Sequence, residues 1–391
     1  MNICSSNPDL SYLIAEDISL IAADWDAMLP ENHPLHSRFL QVFQRAGLPD
    51  LRFHYLLISR KGKKIGLAYF QHFHFHSGHY DLKALASGAM LCLTQPFLCQ
   101  QTSILVCGNL FHAGTEGFYF PDSSDRECIL PVTAGLEKKY RAGAVLLKDI
   151  SADLPAGLLK QNRFRTYPDD QVMSMTLPDS WHTFDDYQSS LSKKYRQRAA
   201  RILASAAGLR LVRLEEEAIR EKIQEINALY EQVRERQPLR IGSLNGAYFM
   251  EMKKAFGPQF EVYAWQDESG KMLAFSSHFL HPDQSREVHY IGFDYKGNEA
   301  YALYFNILFH GIRCAIEAGN PKVLFGRTGF DAKASAGAVA ENNLHYFRIR
   351  RGLPSITFQL LQKALSKKEA DGWKSRNPFR NAGIEPQLQE A

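Results

Sequence analysis

Apolar residues recur along this chain at two periods, one helical and one strand-like. In residues 17–29, Ile18, Ile21, Ala22, Trp25 and Leu29 fall near one face of a helix. Residues 36–46 predict a second, shorter helix, ended by Gly47 and Pro49. Residues 53–59 (FHYLLIS) and 65–76 read as paired strands around the turn Lys61-Gly62-Lys63. Residues 104–107 (ILVC) predict a buried strand, 124–141 a helix, 144–148 (AVLLK) a strand, 156–161 a short helix and 173–177 a strand. A boundary is expected near 178–181, at Pro178 to Trp181.

The second half repeats this order of elements with clearer signals. Residues 183–206 predict a long helix, 209–213 (LRLVR) a strand and 218–236 a helix. Residues 246–256 predict a helix with Tyr248, Phe249 and Met252 on its apolar face. Paired strands follow at 259–266 and 272–281, a third at 287–294, and a long helix at 300–318. Residues 322–325 (KVLF) and 345–350 complete the strands, and the chain is polar from 366 onward. The expected class is α/β, with two tandem domains, 1–178 and 179–365, and a polar tail, 366–391. Each domain is expected to be a mixed, mostly antiparallel sheet flanked by helices.

Bulk composition narrows this only a little. With 391 residues, 45% hydrophobic and 23% charged, the chain has room for two cores and is not compositionally disordered. A net charge of +4 falls short of a nucleic-acid-binding signature. Cys4, Cys92, Cys99, Cys107, Cys128 and Cys314 form no CxxC pair and no Cys/His metal spacing. Reduced thiols and a cytoplasmic location are therefore expected. The most apolar stretch, 82–111, is interrupted by Gly88, Gln95, Pro96, Gln100 and Gln101. It leaves no unbroken apolar run of about 18 residues, so no transmembrane helix is expected.

Candidate chemistry concentrates in the second half. A strand running out at Asp294 leads through Tyr295-Lys296-Gly297-Asn298 into a helix starting near Glu299. Unpaired N–H groups and the helix dipole at such a start suit a pyrophosphate; Lys296 adds charge and Gly297 allows close approach. Lys296, Gly297, Asn298 and Glu299 are thus donor-binding candidates, with an ordinary capped turn as the alternative. Upstream, 190–201 reads SLSKKYRQRAAR. At about 100° per residue Lys194, Arg198 and Arg201 share a face, with Lys193 and Arg196 beside it. These cations suit cofactor phosphates, lipid headgroups or an RNA backbone, or form a solvated face paired with Glu215, Glu216 and Glu217.

A symmetric hairpin around Asp283-Gln284 would set His278 opposite His289, Leu280 opposite Glu287 and Ser276 opposite Ile291. Two facing imidazoles would keep one neutral as a base. Tyr301 and Tyr304, on the next helix, are candidate proton donors to a leaving thiolate, or packing residues. In 326–333 (GRTGFDAK), Arg327 and Lys333 can bind a phosphate or a carboxylate-bearing acceptor, and Asp294 is a further substrate-binding candidate. His72, His74 and His76 alternate on one strand face near His79 and Asp81. Adjacent positions on one strand rarely converge on one ion, so no metal site is expected. The motifs of serine hydrolases, P-loop proteins, zincins and EF-hands are absent.

The basic helix, the HYIGFD strand, the YKGNEAYALY segment and the LFGRTGFDAK segment together resemble a known family. Over 184–350 the chain is similar to the acetyltransferase-type (GNAT) domain of the BioF2-like acyltransferases and Fem-type aminoacyltransferases. The resemblance implies a diverged second copy of the fold upstream, and a segment at 326–333 that borders the acceptor site. It also implies transfer of an acyl group from a thioester, acyl-CoA or an acyl carrier protein, to a primary amine. Some enzymes making N-acylated sphingoid bases resemble this superfamily, so a long-chain amino lipid is an expected acceptor and peripheral membrane contact an expected partner mode. The segment 295–298 lacks the Gly-rich pyrophosphate signature of single-domain acetyltransferases. A Fem-type aminoacyl-tRNA-dependent transferase therefore stays open, as does an inactive module binding an envelope precursor or RNA.

Overall fold

The computed structural model describes residues 2–7, 9–76, 79, 102–237, 240–350 and 374–380. The apolar segment 84–98, Asp81, Cys92 and Cys99 lie outside the described residues, as does all of the predicted tail except 374–380. The chain divides into two compact units. The first comprises Met1–Asp170, Gln237–Leu244 and Asn342–Ala370; the second comprises Gln171–Arg236, Asn245–Glu341 and Asp371–Ala391.

In the first unit, β1 (Asn2–Asn7), β2 (Leu10–Ala15), β3 (Leu51–Arg60) and β4 (Lys63–Phe75) pair antiparallel in sequence order. Strand β2 carries a period-two signal, with Leu10, Tyr12 and Ile14 buried, in a segment that reads as merely polar beside its neighbours. The helix expected over 17–29 is a 3₁₀ turn, Ile18–Leu20, and a short α1 (Ala22–Asp26). The Asp17 carboxylate accepts from Ser19 N–H and starts the turn, and Ile21 leaves helical geometry between the two. Helix α2 is Ser37–Arg45. Strand β5 (Thr102–Cys107) follows β4, β6 is the two-residue Phe118–Tyr119, and α3 (Ile129–Tyr140) crosses over to β7 (Ala144–Leu147). Strands β5 and β7 are parallel neighbours. A short α4 (Ala156–Gln161) precedes β8 (Arg165–Thr176).

In the second unit, α5 (Phe184–Ser190) and α6 (Lys193–Ser205) replace the single helix expected over 183–206. The break falls at Leu191, extended and bridged to Phe379, and at Ser192, whose N–H donates to the Pro378 carbonyl. Next come β9 (Arg210–Leu214), α7 (Glu216–Glu221), α8 (Ile223–Glu235) and α9 (Gly246–Phe256). Strands β10 (Phe260–Gln266), β11 (Met272–Leu280) and β12 (Arg286–Phe293) continue the sheet, antiparallel, from β9. Helices α10 (Tyr295–Tyr301) and α11 (Leu303–Glu317) then lead to β13 (Lys322–Gly326), parallel to β12 and antiparallel to residues 173–176 of β8. Last come α12 (Phe330–Ser335) and β14 (Val339–Ile349), which from Asn342 belongs to the first unit and whose residues 346–349 pair there with β7. No helix among the described residues is long and apolar enough to cross a membrane.

Each unit has its own apolar core. In the second, Ile307, Ile312 and Ala315 of α11 pack on Val288, Phe293 and Val323 of the sheet. Gly311 permits that approach: a Cβ there would overlap the Val288 side chain. Burying each such aliphatic side chain stabilises the fold by about 1.5–3 kcal/mol. The same helix therefore fixes the position of β12 against β13.

Candidate functional site: an open strand edge in the second unit

Strands β12 and β13 pair only through Arg286↔Val323 and Glu287↔Leu324. Beyond that point β12 keeps its pairing with β11, while the carboxyl end of β13 follows β8, Gly326 facing Met173. The edge of β12 from Val288 onward thus has no strand partner on the β13 side among the described residues. His289 shows why this edge is exposed as backbone. Its side chain is 0% exposed, yet the residue as a whole is half-buried, so the accessible part is main chain. The first unit contains the same parallel pair in a closed state. There Ile104–Cys107 match Ala144–Leu147 in full, and Lys148 N–H donates to the Cys107 carbonyl at 2.9 Å. Open parallel sheets take ligands at the carboxyl ends of their strands where neighbours part, which selects the second unit.

A buried chain of polar side chains backs this edge. Glu287 Oε1 accepts from His289 Nδ1 at 3.1 Å, and Glu287 Oε2 accepts from His281 Nε2 at 2.9 Å. With His289 Nδ1 protonated, its Nε2 accepts from the Tyr248 hydroxyl of α9 at 2.7 Å. Burial opposes charge on His281, but the hydrogen bond and charge of Glu287, with Asp283 behind it, raise its pKa. Burial, reinforced by Tyr290 and Glu287, lifts the Tyr248 phenol far above its ordinary range. Both nitrogens of His289 are therefore engaged.

The facing pair of imidazoles does not form. Ser276 lies opposite Ile291 as expected, but a register shift between Ser276 and His278 brings His278 opposite Val288, Phe279 opposite Glu287 and Leu280 opposite Arg286. A bulge moves every later side chain by one position and so to the other face. His278 lies instead beside His310 of α11 and Tyr263 of β10, with ring centroids 5.5 and 5.1 Å away. Its Nε2 meets Ser276 Oγ at 3.2 Å, and Nδ1 has no hydrogen-bond partner. Burial, then the nearby charges of His310 and Arg286, push its pKa well down. Residues 295–298 also differ from expectation, being the first turn of α10. The Asp294 carboxylate accepts from Gly297 N–H at 2.7 Å and holds negative charge where a pyrophosphate was expected. Lys296 and Glu299 are exposed on that short helix, and Asn298 Oδ1 accepts from Tyr304 N–H at 2.8 Å. Asp294 is thus a helix cap.

Helix α11 begins after Ala302, which is left-handed at φ 46. Tyr301 is half-buried against the core. The Tyr304 hydroxyl sits over Gly329, and burial raises the Tyr304 pKa. Arg327, just past β13, lies within electrostatic reach of Tyr290 on β12. Lys333 departs from the expected solvated cation. It is 4% exposed, donates from Nζ to the Gly326 carbonyl at 3.2 Å, and burial lowers its pKa to about 7.

On α6, Lys193, Lys194 and Arg201 are exposed and Arg196 and Arg198 half-buried, with the Arg198 guanidinium 4.7 Å from the Phe305 ring centroid of α11. The pairing with Glu215–Glu217 does not occur: Glu215 meets Arg213 and Lys253, and Glu216 and Glu217 meet Arg220. In the first unit, His72 is buried against Ser103 and His54 at 2.8 and 3.4 Å, while His74 is exposed. His76 and His79 lie against each other, with ring centroids 4.0 Å apart. Sequence reasoning missed Glu287, whose neighbours at positions 281 and 289 are its only local signal. It also missed the buried group of Asp149, Asp170 and His345, where Lys148 is ion-paired to Asp149.

No protein-family model matches this chain, and no curated protein matches it. Solved structures do. FemX matches over 87% of this chain and 98% of its own at a TM-score of 0.50 and 12% identity. A tandem GNAT protein from the clavulanic acid biosynthesis pathway matches over 87% and 98% at 0.50 and 11% identity. The N-myristoyltransferase of Saccharomyces cerevisiae, solved with bound myristoyl-CoA, matches over 90% and 86% at 0.50 and 12% identity. With the helix-flanked mixed sheet and the parting parallel strands described above, this likeness makes the chain a GNAT-fold protein.

Proposed function

We propose that the chain is an N-acyltransferase, built from two GNAT-like copies, whose second unit moves an acyl group from a thioester to a primary amine. The observation that carries the reading is the edge of β12 beyond Val288, which has no strand partner on the β13 side among the described residues while the equivalent pair in the first unit is closed. An extended donor arm hydrogen-bonds along such an edge as an added strand does. A donor phosphate is held by Arg198 beside the first turn of α11, since Asp294 already caps α10. The amine nitrogen attacks the thioester carbonyl, the C–S bond breaks, the amine proton passes to a base and the thiolate leaves. Lys333 is that base: its pKa of about 7 makes it substantially neutral near neutrality, and its amine lies at the carboxyl end of β13. Glu287, His289 and Tyr248 are positioning residues that keep the β12 edge in place.

The donor is acyl-CoA or an acyl carrier protein, and the acceptor to try first is a long-chain amine such as a sphingoid base. A Fem-type reading, with aminoacyl-tRNA as donor, uses the same edge; the capped start of α10, closed to pyrophosphate, is the observation that favours it. The test is to incubate the purified protein with acetyl-, palmitoyl- and carrier-bound acyl donors and an amine panel including sphinganine, reading products by mass spectrometry. An N-acyl product lost in Lys333→Met supports the reading. Absence of product with every thioester, alongside aminoacyl transfer from charged tRNA, would replace it with the Fem-type one.

A further inference from the structure

We propose that the outer face of α6 is an electrostatic docking surface for an anionic lipid membrane. The thirteen residues of this helix include five cations and no acid. Lys193, Lys194 and Arg201 are exposed along one side with Gln197, Ala200 and Ala204, while Ala199 opposite them is buried in the core. None of the five cations makes an ion pair among the described residues: Asp186 caps α5 through Thr183, and Glu215, Glu216 and Glu217 are bound to Arg213, Lys253 and Arg220. Three of the five, Lys193, Lys194 and Arg196, stand in the first turn, at the positive end of the helix dipole. That arrangement is locally unfavourable unless an anion covers it. Arg380, which donates to the Leu191 carbonyl just ahead of the helix, adds a further positive charge there.

A second feature selects lipid over nucleic acid. Leu211, six residues past the end of α6, is an exposed large hydrophobic, 43% accessible, on edge strand β9. Its cross-strand partner Trp265 belongs to the same apolar cluster as Ala199, Ile202 and Leu203 of α6. Cations interleaved with the exposed Ala200 and Ala204, and no fully exposed aromatic ring on the helix (Tyr195 is half-buried), match headgroups and the top of the acyl layer better than stacked bases.

The experiment is vesicle co-sedimentation of the full chain with phosphatidylcholine alone and with added phosphatidylglycerol, across a salt series and with free tRNA as competitor. The inference does not rest on acyl transfer, because the readout is partition and not product. Binding is expected only with phosphatidylglycerol and is expected to weaken as salt rises. Lys193→Gln, Lys194→Gln and Arg201→Gln together are expected to lower partition about 100-fold with an unchanged melting temperature. Leu211→Ser is expected to weaken what binding survives at high salt. The proposal is overturned if the wild-type chain ignores phosphatidylglycerol at low salt, or if the triple variant partitions as well as wild type. Tight tRNA binding, lost in the triple variant and not matched by vesicle binding, would assign the face to RNA instead.

Discussion

Glu287 and His289, two positions apart on one strand, share a 3.1 Å hydrogen bond between Oε1 and Nδ1, while the other oxygen of Glu287 holds His281. One carboxylate on the strand whose edge has no β13 partner thereby fixes two imidazoles, His289 of the same strand and His281 just past β11. Replacing it as Glu287→Gln removes the charge at constant size. The His281 pKa should fall in an NMR titration, and stability should drop by about 1–3 kcal/mol in urea unfolding. The sign with pH follows from the raised His281 pKa. Its share of stability is present below the unfolded value, about 6.5, and is lost as pH rises through the folded value. Glu287→Gln should abolish that loss. Tyr248→Phe should cost about 1 kcal/mol through loss of its hydrogen bond to His289.

Lys333 sets the opposite slope. Its pKa is lowered to about 7 by burial, whereas an unfolded lysine titrates near about 10.4. Between these values the unfolded chain binds more protons, so stability contributed at this site increases as pH rises. Lys333→Met should flatten unfolding free energy against pH in that window and be at least as stable at pH 7. Acyl transfer in the wild type should rise through pH about 7, and the variant should lose about 100-fold or more. A variant that keeps full activity would remove Lys333 from the chemistry.

The first unit should be acid-sensitive through buried histidines. Burial first, then the charge of His72 with Lys139 and Arg52, lowers His54 to about 3, and burial, then His74 and Arg52, lowers His72 to about 4. The unfolded chain protonates these rings near about 6.5 while the folded one does not. Stability should therefore fall as pH drops below that value. His54→Phe with His72→Phe should lose less thermal stability than wild type on going from pH 7 to pH 5.

Gly329 is backbone-strained for any other residue at φ 70, and a Cβ there would overlap the Tyr304 hydroxyl. Gly329→Ala should destabilise by about 1–3 kcal/mol. Adding Tyr304→Phe should recover the steric part but not the φ part, giving non-additivity in a double-mutant cycle.

Most of this architecture was legible where the signal is local. The strands at 104–107, 144–147 and 322–326 and the helices at 156–161 and 246–256 follow from short-range periodicity and their bounding turns. What was not legible depends on single-residue geometry or distant partners. Ala302 breaks 300–318 in a left-handed conformation that an alanine does not advertise. One bulged residue near Ser276 separates His278 from His289. Lys333 reads as a surface cation until α12 folds it inward against Gly326, and Glu287 meets His281 and His289 only when the β11–β12 hairpin closes. The motifs point to the second unit, where the proposed site lies; the order of its groups is not legible in them.

The most direct measurement is hydrogen exchange of the full chain with and without a saturating non-reactive thioether analogue of palmitoyl-CoA. The account predicts slowed exchange at the amides of 288–293 on β12 and in the first turn of α11, with 104–107 and 144–147 unchanged. Unchanged exchange over 288–293 at saturation, or protection confined to the first unit's closed strand pair, would contradict it.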